Sequence, residues 1–306
     1  MGTPGFAVPS LKALLSSCHV VGVVTQPDRP AGRGRQLSVS PVKQLALRRE
    51  ISVLQPISVS TPEVLQQVAG LAPDIIVVVA FGQILSQGLL DLPPYGCLNV
   101  HASLLPRWRG AAPVAAAILA GDPVAGVTIM KLDAGLDTGP ILTQRKESIL
   151  PGDTRLLLEG KLARLGASLL IDTFPGYLAG GITPRPQPES GVTIARRLRK
   201  EDGLLDWSRP AGELERKLRA FHPWPGVHTL LHGVQLKVLR ARVVSCPGVG
   251  APPGTLVSLD GGVAVITGKD ALCLEEVQLA GRRRMDIAAF LCGQKACVGS
   301  CLGTVD

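Results

Sequence analysis

Between residues 73 and 81 the chain reads PDIIVVVAF, and from Ile75 to Phe81 no side chain is charged or polar. A run with no solvent face must be covered on both sides. It is far too short to cross a bilayer, which takes about 20 residues. Its length and β-branched content favour a central strand over a buried helix segment. Such a strand needs helices above and below it, and the flanking sequence supplies them. SPVKQLALRRE (40–50) and TPEVLQQVAGL (61–71) each read as a helix with a Ser or Thr cap and proline at the first helical position. HVVGVVT (19–25), ISVLQP (51–56), GCLNVH (96–101) and GVTIM (126–130) read as further strands, residues 112–120 as a small-residue helix, and 158–181 as a longer one. Strands alternating with helices predict an α/β fold with a mostly parallel, wound sheet. Its functional loops lie beyond the carboxyl ends of the strands.

The character changes at ITPRPQPESG (182–191), which has three prolines and few apolar residues and reads as a linker. Beyond it, PAGELERKLRAF (210–221) reads as a helix. Short strands at 234–244, 254–259, 262–268 and 271–279, separated by Gly and Pro turns, have the pattern of a small barrel or sandwich. The expected division is 1–181, a linker at 182–198, and 199–306. Aromatics are only 3% of the 306 residues, so both cores are aliphatic. The net charge of +8 permits a polyanionic partner without establishing one. Seven scattered cysteines with no CxxC pair argue against a disulfide scaffold and against a zinc site, and place the chain in a reducing compartment. No membrane span and no signal peptide are read, which makes the expected location cytoplasmic.

No GxGxxG follows the first strand, and neither GxxxxGK[ST] nor GxSxG occurs. Dinucleotide, P-loop and serine-hydrolase chemistry therefore lack their motifs. The weight falls on NVHASLLPRWRGAAP (99–113), which holds the chain's single Asn. Asn99 and His101 alternate along a strand and project to one side, at the end where α/β sites form. An amide beside an imidazole can polarise a carbonyl and handle a proton. The loop LDAGLDTGP (132–140) carries Asp133 and Asp137, and a carboxylate there could orient the His. A structural His with two turn-forming Asp residues is the competing reading of the same pattern.

GTPGFAVPSL (2–11), TQPDRPAGRGR (25–35), the stretch 99–113, GVTIM, DAGLDTG (133–139) and RAFHPWPG (219–226) together resemble the methionyl-tRNA formyltransferase family of 10-formyltetrahydrofolate-dependent enzymes. The resemblance runs from residue 2 to about residue 290. It implies a Rossmann-like formyltransferase domain, a linker and a C-terminal OB-like barrel that helps hold tRNA. Carried over by motif, Asn99, His101 and Asp137 are catalytic, and Ser103, Leu104, Leu105 and Pro106 line the folate site. Arg29, Arg33 and Arg35 reach the tRNA acceptor end, and Asp133 is given no chemistry. The implied cosubstrate is 10-formyltetrahydrofolate, with no metal. The implied partner is initiator methionyl-tRNA, met by a monomer without a membrane. Formylation of an amino-sugar nucleotide by the same trio is the nearest alternative, and a non-catalytic tRNA-binding protein is another. Two departures stand out. The apolar strand that the family places ahead of GTP is not in this sequence, which predicts an empty position at the centre of the sheet. The tail CGQKACVGSC (292–301) also differs from the family.

Overall fold

The computed structural model describes residues 1–31, 36–246, 250–259, 262–293 and 297–303. The chain forms two compact units. One is Met1–Pro113, Pro123–Ile149 and Leu158–Arg196; the other is Val114–Asp122, Leu150–Leu157 and Arg197–Asp306. The change of unit at residue 196 falls near the expected start of the C-terminal part. The proline-rich segment belongs to the first unit.

The first part of the chain runs α1 (Val8–Ser17), β1 (Val23–Val24), β2 (Arg29–Ala31), β3 (Gln36–Ser38), α2 (Pro41–Arg48), β4 (Val53–Leu54), α3 (Pro62–Gly70), β5 (Ile76–Val78), α4 (Gln87–Leu90), β6 (Cys97–His101), β7 (Arg109–Gly110), α5 (Pro113–Ala120), β8 (Val124–Lys131), β9 (Ile141–Ser148), α6 (Arg155–Leu178) and β10 (Ile194–Ala195). Ser40 caps α2 as its sequence predicts, its hydroxyl accepting from Lys43 N at 3.1 Å with Pro41 following. Thr61 precedes α3 without a side-chain cap bond. β1 pairs β4 and β5 pairs β6 in parallel, but β8 and β9 run antiparallel to their neighbours. The sheet is therefore mixed, with its antiparallel strands at one edge, as open α/β sheets often have them. β9 has no apolar alternation beyond Ile141 and Leu142 and is a half-exposed strand that periodicity does not reveal.

Every residue of β6 is buried. α6 lies over one face of it: a Cβ built on Gly166 would come within 2.7 Å of Val100 Cγ1. Since side chains alternate, Asn99 and His101 face the other way. Beside this strand, Val24, Val64, Ile76, Val78, Phe81 and Leu89 form a largely aliphatic core with one aromatic ring. Each such side chain contributes about 1.5–3 kcal/mol by leaving water.

The centre of the sheet is held by two residues. Gly2 N donates to Val24 O at 3.0 Å and Val79 N donates to Met1 O at 2.9 Å, so Met1–Gly2 join β1 to β5. Behind them lies an apolar cavity of about 550 Å³ between residues 20–24 and 75–77, lined also by Leu11, Leu14 and Phe174. The strand read at 19–25 is accordingly reduced to Val23–Val24.

The second unit contains α7 (Ala211–Ala220), β11 (Val227–Leu231), β12 (Val234–Val244), β13 (Leu256–Leu259), β14 (Gly262–Ile266), β15 (Ala271–Leu279), β16 (Met285–Asp286) and α8 (Ile287–Cys292). The antiparallel order is β11-β12-β15-β14-β13, with β16 beside β15. β12 and β15 have the bounds their sequence predicts. The residues that follow α8 bridge the two edge strands: Leu256 N donates to Ser300 O, Leu302 N to Gly254 O, and Gly303 N to Leu230 O. The sheet is thus closed into a barrel-like form by the residues that follow α8.

The cavity behind Met1 generates a prediction. A variant extended ahead of Met1 by four or five β-branched residues is expected to melt higher by on the order of 5 °C, since it covers apolar walls and both strand edges. Differential scanning calorimetry of the two chains decides it, and an unchanged melting temperature would show that the cavity does not accept a strand.

Candidate active site

β6 ends in His101 opposite Thr128, while β8 ends with Lys131 opposite Leu98 near the start of β6; the 132–140 loop leaves from there and turns back so that Asp137 reaches Asn99. The loop's two carboxylates part company there. Asp133 Oδ1 accepts from Gly135 N at 3.1 Å and from Thr138 Oγ1 at 2.8 Å, so it braces its own turn. Asp137 points to β6. Its Oδ1 accepts from Asn99 Nδ2 at 3.3 Å, its Oδ2 accepts from Gly110 N at 2.8 Å, and Oδ2 stands 3.7 Å from His101 Nδ1. Asn99 and His101 are 8% and 6% exposed and the Asp137 side chain 14%, so these groups interact where water screens little.

The other ring nitrogen of His101 fixes its tautomer. Nε2 lies 2.9 Å from Trp108 O. A carbonyl only accepts, so Nε2 carries a proton, and Nδ1 is the nitrogen that faces Asp137. The carbonyl is aimed by the 103–110 loop. Ser103 Oγ donates to Arg107 O at 2.6 Å, Arg107 stacks over the Trp108 ring at 4.2 Å, and Trp108 takes a left-handed φ of 62°. β10 pairs in parallel with β7 and anchors the loop from outside. Trp108 N donates to Thr193 Oγ1 at 2.8 Å and Ala111 N to Ala195 O at 2.8 Å. Gly110 is required here: its φ is 105°, and a Cβ would meet Ala195 O at 2.8 Å.

Of the residues expected to line a folate site, Ser103 and Leu105 are buried at 3% each. Leu105 packs with Met130 and Ile141, and its N–H donates to Thr128 Oγ1 at 3.1 Å. Leu104 and Pro106 remain partly accessible, with Leu104 lying close above Gly126. Arg29 is exposed on β2, which pairs β3 as a hairpin, and its guanidinium donates to Gln26 Oε1. Arg33 and Arg35 lie outside the described residues. At the hairpin's base Lys43 and Gln55 hydrogen-bond the carboxylate of Asp28 and hold it below the usual carboxylate range. Two positions before Asn99, burial pushes the Cys97 thiol up to about 12, which leaves it protonated and unreactive.

Several participants escape sequence reasoning. Thr128, fully buried, donates to Ser103 O at 2.6 Å and accepts from Gln144 Nε2 at 2.9 Å; a hydroxyl inside GVTIM is its one signal. Thr193 and Gln187 stand in the segment that reads as a linker. The large cavity behind Met1 shares no residue with Asn99, His101 or Asp137. Among the described residues no group of His, Cys, Asp and Glu is placed to hold a metal ion, and no helix is long and apolar enough to cross a membrane.

The chain thus joins a wound α/β unit to an antiparallel barrel-like unit, and formyl transferases share this fold. Residues 2–174 match the formyl transferase family model, and residues 197–295 the model of the formyl transferase C-terminal domain. The chain is 49% identical over 300 residues to a methionyl-tRNA formyltransferase of Myxococcus xanthus, covering 98% of this chain and 96% of that one. It is 48% identical over 304 residues to the one of Methylococcus capsulatus, covering 99% and 98%. Among solved structures, its fold matches the sugar 3N-formyl transferase WlaRD at a TM-score of 0.66 and 16% identity, over 92% of this chain and 97% of that one. It also matches an N-formyltransferase of Helicobacter canadensis at 0.64 and 16%, over 89% and 97%. The chain belongs to the formyl transferase family.

The loop carrying Asp137 closes on Gly139, whose Cβ position would fall on Lys131 O. Gly139→Ala must displace either the loop or the end of β8. It is expected to cost about 1–3 kcal/mol of stability, read from urea midpoints. A wild-type midpoint would show that the loop shifts freely.

Proposed function

We propose that this chain transfers a formyl group from 10-formyltetrahydrofolate to the α-amino group of methionyl-tRNA, supplying the formylated initiator for translation. The observation that carries the reading is the convergence of Asn99, His101 and Asp137 at one buried strand tip. The names of the relatives at 48–49% identity over nearly the whole chain support the substrate. The folate is inferred from the family, and HypX of Aquifex aeolicus, which shares the fold, has been crystallised in complex with tetrahydrofolic acid.

The chemistry follows from the atoms present. An α-amino group with a pKa of about 7.7–8.0 is neutral in on the order of a tenth of molecules at pH 7. Its lone pair attacks the formyl carbon, forming a C–N bond and a tetrahedral oxyanion. Asn99 spends one amide hydrogen on Asp137 Oδ1 and keeps the other for that oxygen. The nitrogen, now positively charged, gives up a proton to Nδ1 of His101, and Asp137 Oδ2 at 3.7 Å stabilises the imidazolium. The bond from carbon to the folate nitrogen then breaks, and that nitrogen takes the proton from Nδ1. Asp137 thus acts on His101 and Asn99 together, and no metal enters the scheme.

Asn99→Ala, His101→Ala and Asp137→Ala are each expected to lower turnover by about 10²-fold or more, with tRNA affinity little changed. Rapid-quench assays with the folate and charged initiator tRNA test this; near-normal turnover in any two variants would overturn the assignment.

The 25–35 loop is read as the element that meets the acceptor end of the tRNA. Arg29 is exposed and its guanidinium bonds a neutral amide, and arginine both grips phosphate and stacks on unpaired bases. Neutralising Arg29, Arg33 and Arg35 together is expected to lower kcat/KM for methionyl-tRNA and to flatten the salt dependence of tRNA binding. Binding titrations at several salt concentrations measure it, and an unchanged slope with unchanged efficiency would show a hairpin that is merely solvated.

A further inference from the structure

The proline-rich segment 182–191 carries a side chain whose polar capacity is fully used beside the catalytic trio. Gln187 Oε1 accepts two hydrogen bonds from Arg109, from Nε at 3.0 Å and from a terminal nitrogen at 2.8 Å. Its Nε2 donates to Asp137 O and to Gly139 O, both at 2.8 Å. One amide thereby ties β7, at the end of the loop that aims Trp108 O at His101, to the backbone of the loop that carries Asp137. We infer that Gln187 is a positioning residue for the transfer reaction, acting through Asp137. The inference rests on the reading that Asp137 takes part in catalysis.

The backbone explains why such a tie is needed. Asp137 has a φ of 51°, a left-handed conformation that a non-glycine residue holds only when its surroundings impose it. The carboxylate bonds to Gly110 N and Asn99 act on the side chain. The peptide at 137–139 needs a separate constraint, and Gln187 supplies two parallel donors to two of its carbonyls. If the peptide rotates, the carboxylate swings away from His101 Nδ1. The acceptor side matters equally: the Arg109 fork fixes the amide's orientation, so that Nε2 and not Oε1 faces the carbonyls. The strand pairing of Ile194–Ala195 with Arg109–Gly110 and the bridge between Arg185 and Ile141 hold residue 187 from both sides. Its position is therefore set by backbone and not by its own side chain.

The test is a double-mutant cycle between residues 187 and 137, with single-turnover rates as the readout and melting temperatures recorded alongside. Gln187→Met keeps the volume and removes all four bonds. Gln187→Glu keeps the acceptors for Arg109 but turns an oxygen toward two carbonyls. Both are expected to lower the transfer rate by on the order of 10- to 100-fold, the scale of an ångström-level misplacement, with KM for the folate little changed. In an Asp137→Ala background each is expected to change the rate by less than about twofold, because the residue it positions is gone. Equal losses in both backgrounds, or wild-type rates in Gln187→Glu, would overturn the inference. Should Gln187→Met fail to fold, Gln187→Glu carries the cycle alone. Failure of the underlying reading looks different: Asp137→Ala itself would then keep its rate, and the role of Gln187 would fall with it.

Discussion

A carboxylate largely shielded from water must be met by donors or it will not stay charged. Asp137 imposes that requirement on everything around it. Gly110 meets one oxygen with a backbone N–H, and can do so only because it lacks a Cβ where β10 crosses. Asn99 meets the other. The β6–β8 pairing sets the distance between strand tip and loop, and the β7–β10 pairing sets the height of Gly110. The site is thus a consequence of sheet register: a slip of one residue in β6 would send Asn99 and His101 to the face covered by α6.

The two strand pairings differ in how far they can be read ahead. Asn-x-His at the end of an apolar run is visible because strand periodicity is two, and that alone places two of the three central groups on one face. Asp133 and Asp137 cannot be separated by spacing, since both sit in a glycine-rich loop; which one turns inward depends on the hydroxyl of Thr138 and on the left-handed backbone at 137. Resemblance names Asp137, and of the two it is Asp137 that stands beside Asn99, Gly110 and His101.

What stays hidden has a common cause. β9 pairs through its backbone while most of its side chains are polar on both faces, so no hydrophobic signal marks it. The 182–196 segment is rich in proline because it is extended, and an extended chain that bonds to loops has the same composition as one that bonds to nothing. Ser103 and Leu105 are named by resemblance as pocket residues, and their side chains also brace the loop, Ser103 through Arg107 O and Leu105 against Met130 and Ile141; that bracing has no sequence signal.

The closure of the second unit by residues 299–303 has a temporal side. Those residues leave the ribosome after all of β11 to β16, so the β13 edge stays open until they emerge, while β11 is already met by Leu205 N at His228 O. The trio and the strands that hold it lie wholly before residue 197 and can assemble while the remainder is still being made. The strands around Asn99, His101 and Asp137 are thus synthesised before the C-terminal barrel is complete, and during that interval the open β13 edge is a part of the nascent chain in need of shelter.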